Sequence, residues 1–443
     1  MSGPRAGITP GGDISSSEAT QRVAAVGLVA LVAAAALDVT GRIAEVGPAR
    51  FTLYQVLAVV LTLLALWQLA TKRAALPKTP VTLPLAAFLG TAALSLVFAT
   101  ELAPAVVQLA SLASSAVLVL IVVTLVREPR QGALVVGGVL VVAAVFGVLA
   151  LLEWADVFAV QHPVLFTPGY GIRARVTFLD PNILASFLMS AILLAVPLVA
   201  GVPMKRGLRA LGVVALLAAL VGLATTYSRG GLGGLVIGLV AVALVMRAPR
   251  RAKLVFVAVM VVAVVAAGAL IFDARWVEEN VLGAGETGSA TNRVYMVKGA
   301  LAMWRDHPFG VGLDNYQVVY PAYRDPRADA GIVESHTAYV TVLAETGFLG
   351  LLAFLWVLGA FLLRTALPAA RRARGATLHA LATGAFAAAL ALAAQAFTYS
   401  LEASKFWWFA IGLGTAAWCM VVREGADASP ASATPNEGES SPT

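Results

Sequence analysis

Apolar stretches long enough to cross a lipid bilayer follow one another along most of this chain, and no other feature limits its fold as strongly. A membrane-spanning helix needs about 20 such residues. They lie near 23–38, 51–70, 81–99, 104–126, 131–152, 179–200, 208–226, 231–246, 252–271, 338–363, 376–397 and 405–422. A spanning segment must satisfy its own backbone hydrogen bonds, so the expected fold is an all-α integral membrane protein of about 12 transmembrane helices. Composition agrees: 60% of residues are hydrophobic and 12% are charged, against about 25% charged in a soluble domain. The single cysteine, Cys419, lies in an apolar run and cannot form an intramolecular disulfide.

The net charge of +7 would point to nucleic acid in a soluble protein; here it is expected to reflect basic loops, with no nucleic-acid partner. One set of connections is basic: Lys72, Arg73 and Lys78; Arg127 and Arg130; Lys205, Arg206 and Arg209; Arg247, Arg250, Arg251 and Lys253; Arg364, Arg371, Arg372 and Arg374. The alternate set holds only Arg42, Arg50, Arg173, Arg175, Arg229 and Lys405 among its short loops. The positive-inside rule makes the first set cytoplasmic, both termini internal and the long loop 272–335 extracytoplasmic. The expected organisation is a disordered cytoplasmic lead (1–22), helices 1–9 (23–271), the outer loop (272–335), helices 10–12 (336–422) and a disordered cytoplasmic tail (423–443). Small residues at Ala33–Ala36 resemble a signal-peptidase site, but the long polar lead favours an uncleaved first span.

Arginines on the cytoplasmic side are explained by orientation, whereas those on the outer side oppose the charge bias and invite a functional reading. Four polar features share that side: 153–178 with Arg173 and Arg175, Asp180-Pro-Asn182, Tyr227-Ser-Arg229, and the loop leading to His336. Polar groups gathered at one membrane face point to one site. Each also has a simpler explanation. Asp180 before Pro181 makes a good helix cap, and headgroup contacts account equally for Arg173 and Arg175. Arg229, in Tyr-Ser-Arg-Gly-Gly-Leu-Gly-Gly, has little room to extend into water; the glycines equally suit close helix packing.

Within the loop, Val294, Val297, Leu301 and Trp304 follow helical spacing with Arg293, Lys298 and Arg305 among the polar positions, which predicts an interfacial amphipathic helix over 291–305. His307-Pro-Phe-Gly-Val-Gly breaks it. Tyr316, Tyr320 and Tyr323 then suit a membrane interface or stacking on sugar rings. His336 opens the next span, with Tyr339, Val340 and Leu343 expected on its helical face. An imidazole titrating near 6.5 can act as a base.

Arg293 and Trp304, His307-Pro-Phe-Gly-Val-Gly, Tyr323, Ser335-His336 and Glu345-Thr-Gly-Phe-Leu-Gly, preceded by Thr177-Phe-Leu-Asp-Pro-Asn182 and Tyr227-Ser-Arg229-Gly, resemble the O-antigen ligase and O-antigen polymerase family over roughly 170–365. Thr337 is a departure, since many members carry asparagine or serine there. The resemblance implies a GT-C-like glycosyltransferase of the bacterial cytoplasmic membrane, acting at its extracytoplasmic face without metal or other cofactor. Its donor would be an undecaprenyl-diphosphate-linked glycan and its acceptor a glycan or lipid-core hydroxyl. The family's functional histidine corresponds to His336 and its arginines to Arg229 and Arg293. Arg173, Arg175, Asp180, Asn182, Tyr227, Tyr316 and Tyr323 are candidate substrate contacts.

The residue types suit this chemistry. Guanidiniums stay charged and bind phosphate oxygens bidentately, and the outer loops hold no acidic cluster arranged like a metal site. Three alternatives remain: a small-anion transporter, disfavoured by span interiors nearly bare of ionisable residues; a non-catalytic assembly partner; and a protein O-oligosaccharyltransferase, which would differ only in acceptor.

Overall fold

The computed structural model describes residues 11–37, 42–46, 49–71, 78–167, 171–251, 289–328 and 335–427, with positions 40, 253, 258, 262 and 265 singly. Among them, nine helices are long and apolar enough to cross a membrane, and two shorter apolar helices cover Thr82–Phe98 and Arg229–Val245. All eleven coincide with expected spans. The remaining span, 252–271, lies largely outside the described residues, as do residues 1–10, 272–288 and 428–443. The chain is an all-α integral membrane protein with two short antiparallel hairpins.

In chain order the elements are α1 (Gly11–Ala36), β1 (Arg42–Val46), β2 (Ala49–Thr52), α2 (Leu53–Ala70), α3 (Thr82–Ser95), α4 (Leu102–Leu125), α5 (Pro129–Trp154), β3 (Phe166–Thr167), β4 (Gly171–Ile172), α6 (Pro181–Gly201), α7 (Arg206–Thr225), α8 (Arg229–Val245), α9 (Ser289–Asp306), α10 (Ala338–Phe361), α11 (Leu367–Arg372), α12 (Ala376–Gln395) and α13 (Lys405–Asp427). A π-turn, Leu362–Ala366, joins α10 to α11. Helix α1 begins at Gly11 and α13 ends at Asp427, so helix reaches into both terminal segments expected to be disordered.

Lipid offers little hydrophobic drive between helices, so small residues decide where they meet. Helices α5 and α7 cross at Gly147 and Gly222, where a Cβ on either would strike the other's backbone. The alanine-rich α12 packs against α6, α8 and α13, and a Cβ at Gly384 would meet the Leu193 and Leu194 carbonyls of α6. Gly230, Gly231 and Gly234 on α8 approach Thr398, Ala185 and Met189 respectively. Aromatic rings fill the larger gaps, with Phe187 and Phe406 at 4.9 Å between centroids.

The span expected at 338–363 is broken. Gly347 sits inside α10 with φ 70° and ψ −174°, outside the helical region. Unsatisfied carbonyls are costly inside apolar surroundings, and the loop motif satisfies two of those beside the break. Val311 N–H donates to Ala344 O at 2.9 Å, and Gly312 N–H to Glu345 O at 3.0 Å. Gly310 and Gly312 take φ 89° and 92° to make this turn. A Cβ at Gly310 would overlap the Glu345 carbonyl, and one at Gly347 the Pro308 carbonyl. Next along, Asn315 is fully buried and mimics a peptide: Glu101 N–H donates to Oδ1 at 2.6 Å, and Nδ2 donates to Glu101 O at 3.0 Å.

Helix α9 is amphipathic, but its packed face is not the one expected. Met296, Ala300 and Met303 are fully buried against Val311, Tyr316, Tyr320 and Ala344, whereas Val294 and Leu301 are exposed. The second apolar stripe therefore faces away from the protein body, where a membrane interface can receive it.

The charge asymmetry of the sequence predicts the loop outside and the α11–α12 turn inside, and cysteine labelling tests this. Cys419 is buried and is the chain's only cysteine, so background should be low. Exposed Ala322→Cys should react with an impermeant maleimide in intact cells, and exposed Gly375→Cys only after permeabilisation. The reverse pattern would invert the topology.

Candidate functional site

Three arginines from distant parts of the chain converge on one cavity. It encloses about 290 Å³ and is lined by Arg173, Asn182, Tyr227, Arg229 and Arg293 together with Gly230, Gly233, Gly234, Ile237, Ala394 and Thr398. Among the described residues, no carboxylate lines it. Arg229 is the first residue of α8, so its guanidinium joins the free N–H groups and positive dipole end of that helix. Both features favour an anion there. A Cβ added at Gly233 would meet nothing within 4 Å, which leaves this side of α8 open to the cavity. Arg293 lies three residues before Met296 and seven before Ala300 on α9, so the face that packs on the protein also turns Arg293 inward.

A hydrogen-bond network holds these side chains in place. Ser228 Oγ caps α8 by accepting from Gly231 N–H at 3.2 Å and donates to Asn182 Oδ1 at 2.7 Å. Gln395 on α12 donates to Asn182 O at 3.3 Å and accepts from Ser186 Oγ at 3.0 Å. Tyr227 is buried with φ 53° and accepts from Trp154 Nε1 at 3.2 Å. Arg173 donates from Nε to Thr226 O at 3.0 Å, and Ala174 N–H donates to Thr225 O at 3.1 Å. The end of α7 thereby carries both Tyr227 and the Arg173 loop.

His336 is not among the residues lining this cavity. It precedes α10, which begins at Ala338, and takes φ 50°, so it shares no helical face with Tyr339, Val340 and Leu343. The left-handed turn costs a non-glycine residue about 1–2 kcal/mol. Its imidazole is directed by this turn and by Tyr399, whose ring lies 6.1 Å away. Beside it, Ser335 Oγ accepts from Thr337 N–H at 3.3 Å and pairs with the Thr341 hydroxyl. Ser335, Thr341 and Tyr399 line a second cavity of about 420 Å³. Consecutive residues border the two cavities, Thr398 the first and Tyr399 the second.

Other candidates lie elsewhere. Arg175 donates to Pro163 O at 3.2 Å, and its own N–H and that of Val176 donate to Glu153 Oε2 at 3.3 and 2.7 Å; it lines neither cavity and braces the 173–178 loop. Asp180 accepts from Asn182 N–H at 2.6 Å and caps α6, the simpler of its two readings. Tyr316 is buried, stacks on Tyr320 at 5.2 Å and donates to Met296 O at 3.2 Å. Burial pushes its phenol far above the ordinary value and keeps it protonated. A ring so enclosed cannot stack on a sugar, although Tyr316 does border the second cavity. Tyr323 borders neither; its OH donates to Asp306 Oδ2 at 2.9 Å, which raises its pKa.

Four supporting residues escaped the sequence reading. Ser228, Gln395 and Thr398 are ordinary polar residues beside helix ends, and Trp154 reads as an interface tryptophan. Only the Ser228-x-x-Gly231 cap had a local signal.

The fold and the cavity define a polytopic membrane protein with an arginine-lined cavity at converging helix ends. The family model described as O-antigen ligase matches residues 214–355 and supports placing the chain in the O-antigen ligase and polymerase family. The match includes Tyr227, Arg229, Arg293 and His336, while Arg173 and Asn182 lie before it. No curated protein matches the chain.

Ser228→Ala removes a helix cap and the hydrogen bond to Asn182 together. A cost of about 1 kcal/mol is expected from the cap alone, seen as a lower unfolding temperature in detergent. Unchanged melting would show that α8 is held without it.

Proposed function

We propose that this protein transfers a glycan from an undecaprenyl-diphosphate carrier to an acceptor hydroxyl at the extracytoplasmic membrane face. The observation that carries this reading is the convergence of Arg173, Arg229 and Arg293 on one cavity, with no carboxylate among its described lining residues. A diphosphate bears negative charge spread over several oxygens. Three guanidiniums at a helix N-terminus can hold it bidentately where water is scarce. In the reaction the acceptor oxygen bonds to the anomeric carbon as the bond from that carbon to the diphosphate oxygen breaks. The departing diphosphate takes the electron pair, and the arginines stabilise the charge that grows there.

The acceptor's proton goes to His336, the general base of this proposal. His336 lies against Tyr399, next in sequence to Thr398 of the arginine cavity, so an acceptor beside the imidazole would approach a sugar held above the diphosphate. The strained backbone at His336, φ 50°, supports a functional role, since such conformations cluster at active sites. Arg173 joins the clamp, and Asn182 and Tyr227 shape its wall. The arginines perform the charge neutralisation that a divalent metal performs elsewhere.

Lysine at Arg229 or Arg293 keeps the charge but loses the fork, so turnover of a purified donor–acceptor pair should fall about 30- to 1000-fold, or about 2–4 kcal/mol. EDTA should leave wild-type turnover intact. His336→Ala should reduce transfer about 10²- to 10⁴-fold while donor affinity stays. Wild-type rates in both lysine variants would remove the clamp from the mechanism, and lost donor binding in His336→Ala would make it a positioning residue.

A further inference from the structure

The second cavity differs from the first in charge. Asp314, Glu345 and Glu402 line it, opposed by the single ammonium of Lys405. Lys405 also lies over the Tyr54 ring at 5.1 Å. Glu345 accepts from Tyr316 N–H at 3.3 Å, so part of its capacity is used within the protein; without it, the carboxylates still outnumber the cation. The rest of the lining is rich in neutral hydrogen-bonding groups: the carboxamides of Gln108 and Gln317 and the hydroxyls of Ser335, Thr341 and Ser400. Tyr399 adds an aromatic face. Carboxamides and hydroxyls around an aromatic ring suit a polyol, which offers many donors and acceptors and an apolar ring face. A volume of about 420 Å³ has room for a sugar.

The placement matters as much as the composition. Ser335 and Tyr399 both border this cavity, and His336 follows the first and contacts the second. We propose that the second cavity is the acceptor-sugar site, and that its acidic lining selects a neutral or amino-bearing sugar over a phosphorylated or carboxylated one. The inference rests on the glycosyl-transfer reading for the word acceptor. The two cavities would then sort the reactants by charge: the diphosphate is drawn to the arginines and repelled from the carboxylates, while the acceptor experiences the opposite preference. Each substrate would be kept out of the other's place by like-charge contact.

Ligand-observed NMR on the full chain in lipid nanodiscs tests this with three probes: methyl glucosaminide, methyl N-acetylglucosaminide and methyl glucuronide. The first two should bind, and the glucuronide at least tenfold more weakly. Glu402→Gln should narrow that gap. Gln317→Ala should weaken both favoured sugars; Gln317 is exposed on the loop, so this variant leaves the core untouched. Inorganic pyrophosphate, measured by calorimetry on the same samples, reports the arginine cavity separately. Arg229→Lys should weaken pyrophosphate and leave the sugars unchanged. Equal binding of glucuronide, sugar binding indifferent to both Glu402→Gln and Gln317→Ala, or no sugar signal at tens of millimolar would each overturn the proposal. Pyrophosphate binding indifferent to Arg229→Lys, with the sugars behaving as expected, would instead overturn the clamp and leave the sugar site standing.

Discussion

Two hydrogen bonds, from Val311 to Ala344 and from Gly312 to Glu345, join the outer loop to the membrane domain. They exist because a helix interrupted at Gly347 leaves carbonyls that lipid cannot satisfy. The turn at 307–312 supplies the donors, and glycines at 310 and 347 let the backbones approach closely enough. Around this joint the described loop residues pack in order. Tyr316 and Tyr320 fall against Met296 and Ala344, α9 docks through Met296, Ala300 and Met303, and Arg293 is delivered to the cavity that α8 opens.

Electrostatics then works on that scaffold. Guanidiniums beside a helix N-terminus repel one another and gain nothing from the helix dipole. Such an arrangement is stable as part of a rigid network: Ser228 and Gln395 on Asn182, Trp154 on Tyr227, and Thr226 on Arg173. Positive potential held in place before a ligand arrives is what a diphosphate leaving group requires. Asp314, Glu345 and Glu402 line the other cavity and, in the proposed reading, give it the opposite preference.

Left-handed backbone recurs around these cavities. Among the described residues, five non-glycine positions take such φ; Asp156 and Val176 line neither cavity, and Tyr227, Asp314 and His336 have φ of 53°, 53° and 50°. Tyr227 borders the first cavity, Asp314 the second, and His336 touches Tyr399 of the second. Each position reverses the chain sharply beside a helix or loop end, which brings a side chain to the membrane face that a continuous helix would carry past it.

Much of the architecture was legible in the sequence. Apolar runs of bilayer length are imposed by the solvent and do not depend on partners, so eleven spans could be placed from residue patterns alone. Loop charge drew attention to Arg173, Arg175 and Arg229 for a related reason: an arginine opposing the orientation bias needs a local explanation; Arg293 came from the family resemblance. Periodicity was less informative for α9, where two apolar stripes exist and only contact with Tyr320 and Ala344 decided which one packs. Tertiary structure alone turned the Arg175 guanidinium to the Pro163 carbonyl and left Arg173 in the cavity, although the two are separated by one residue. It alone paired Asn315 with Glu101, enclosed Tyr316 and gathered Asp314, Glu345 and Glu402 around one space. These outcomes depend on groups from 12 to 214 residues apart in sequence coming into contact. Local sequence determines how a segment meets its solvent; only packing determines which segments meet each other.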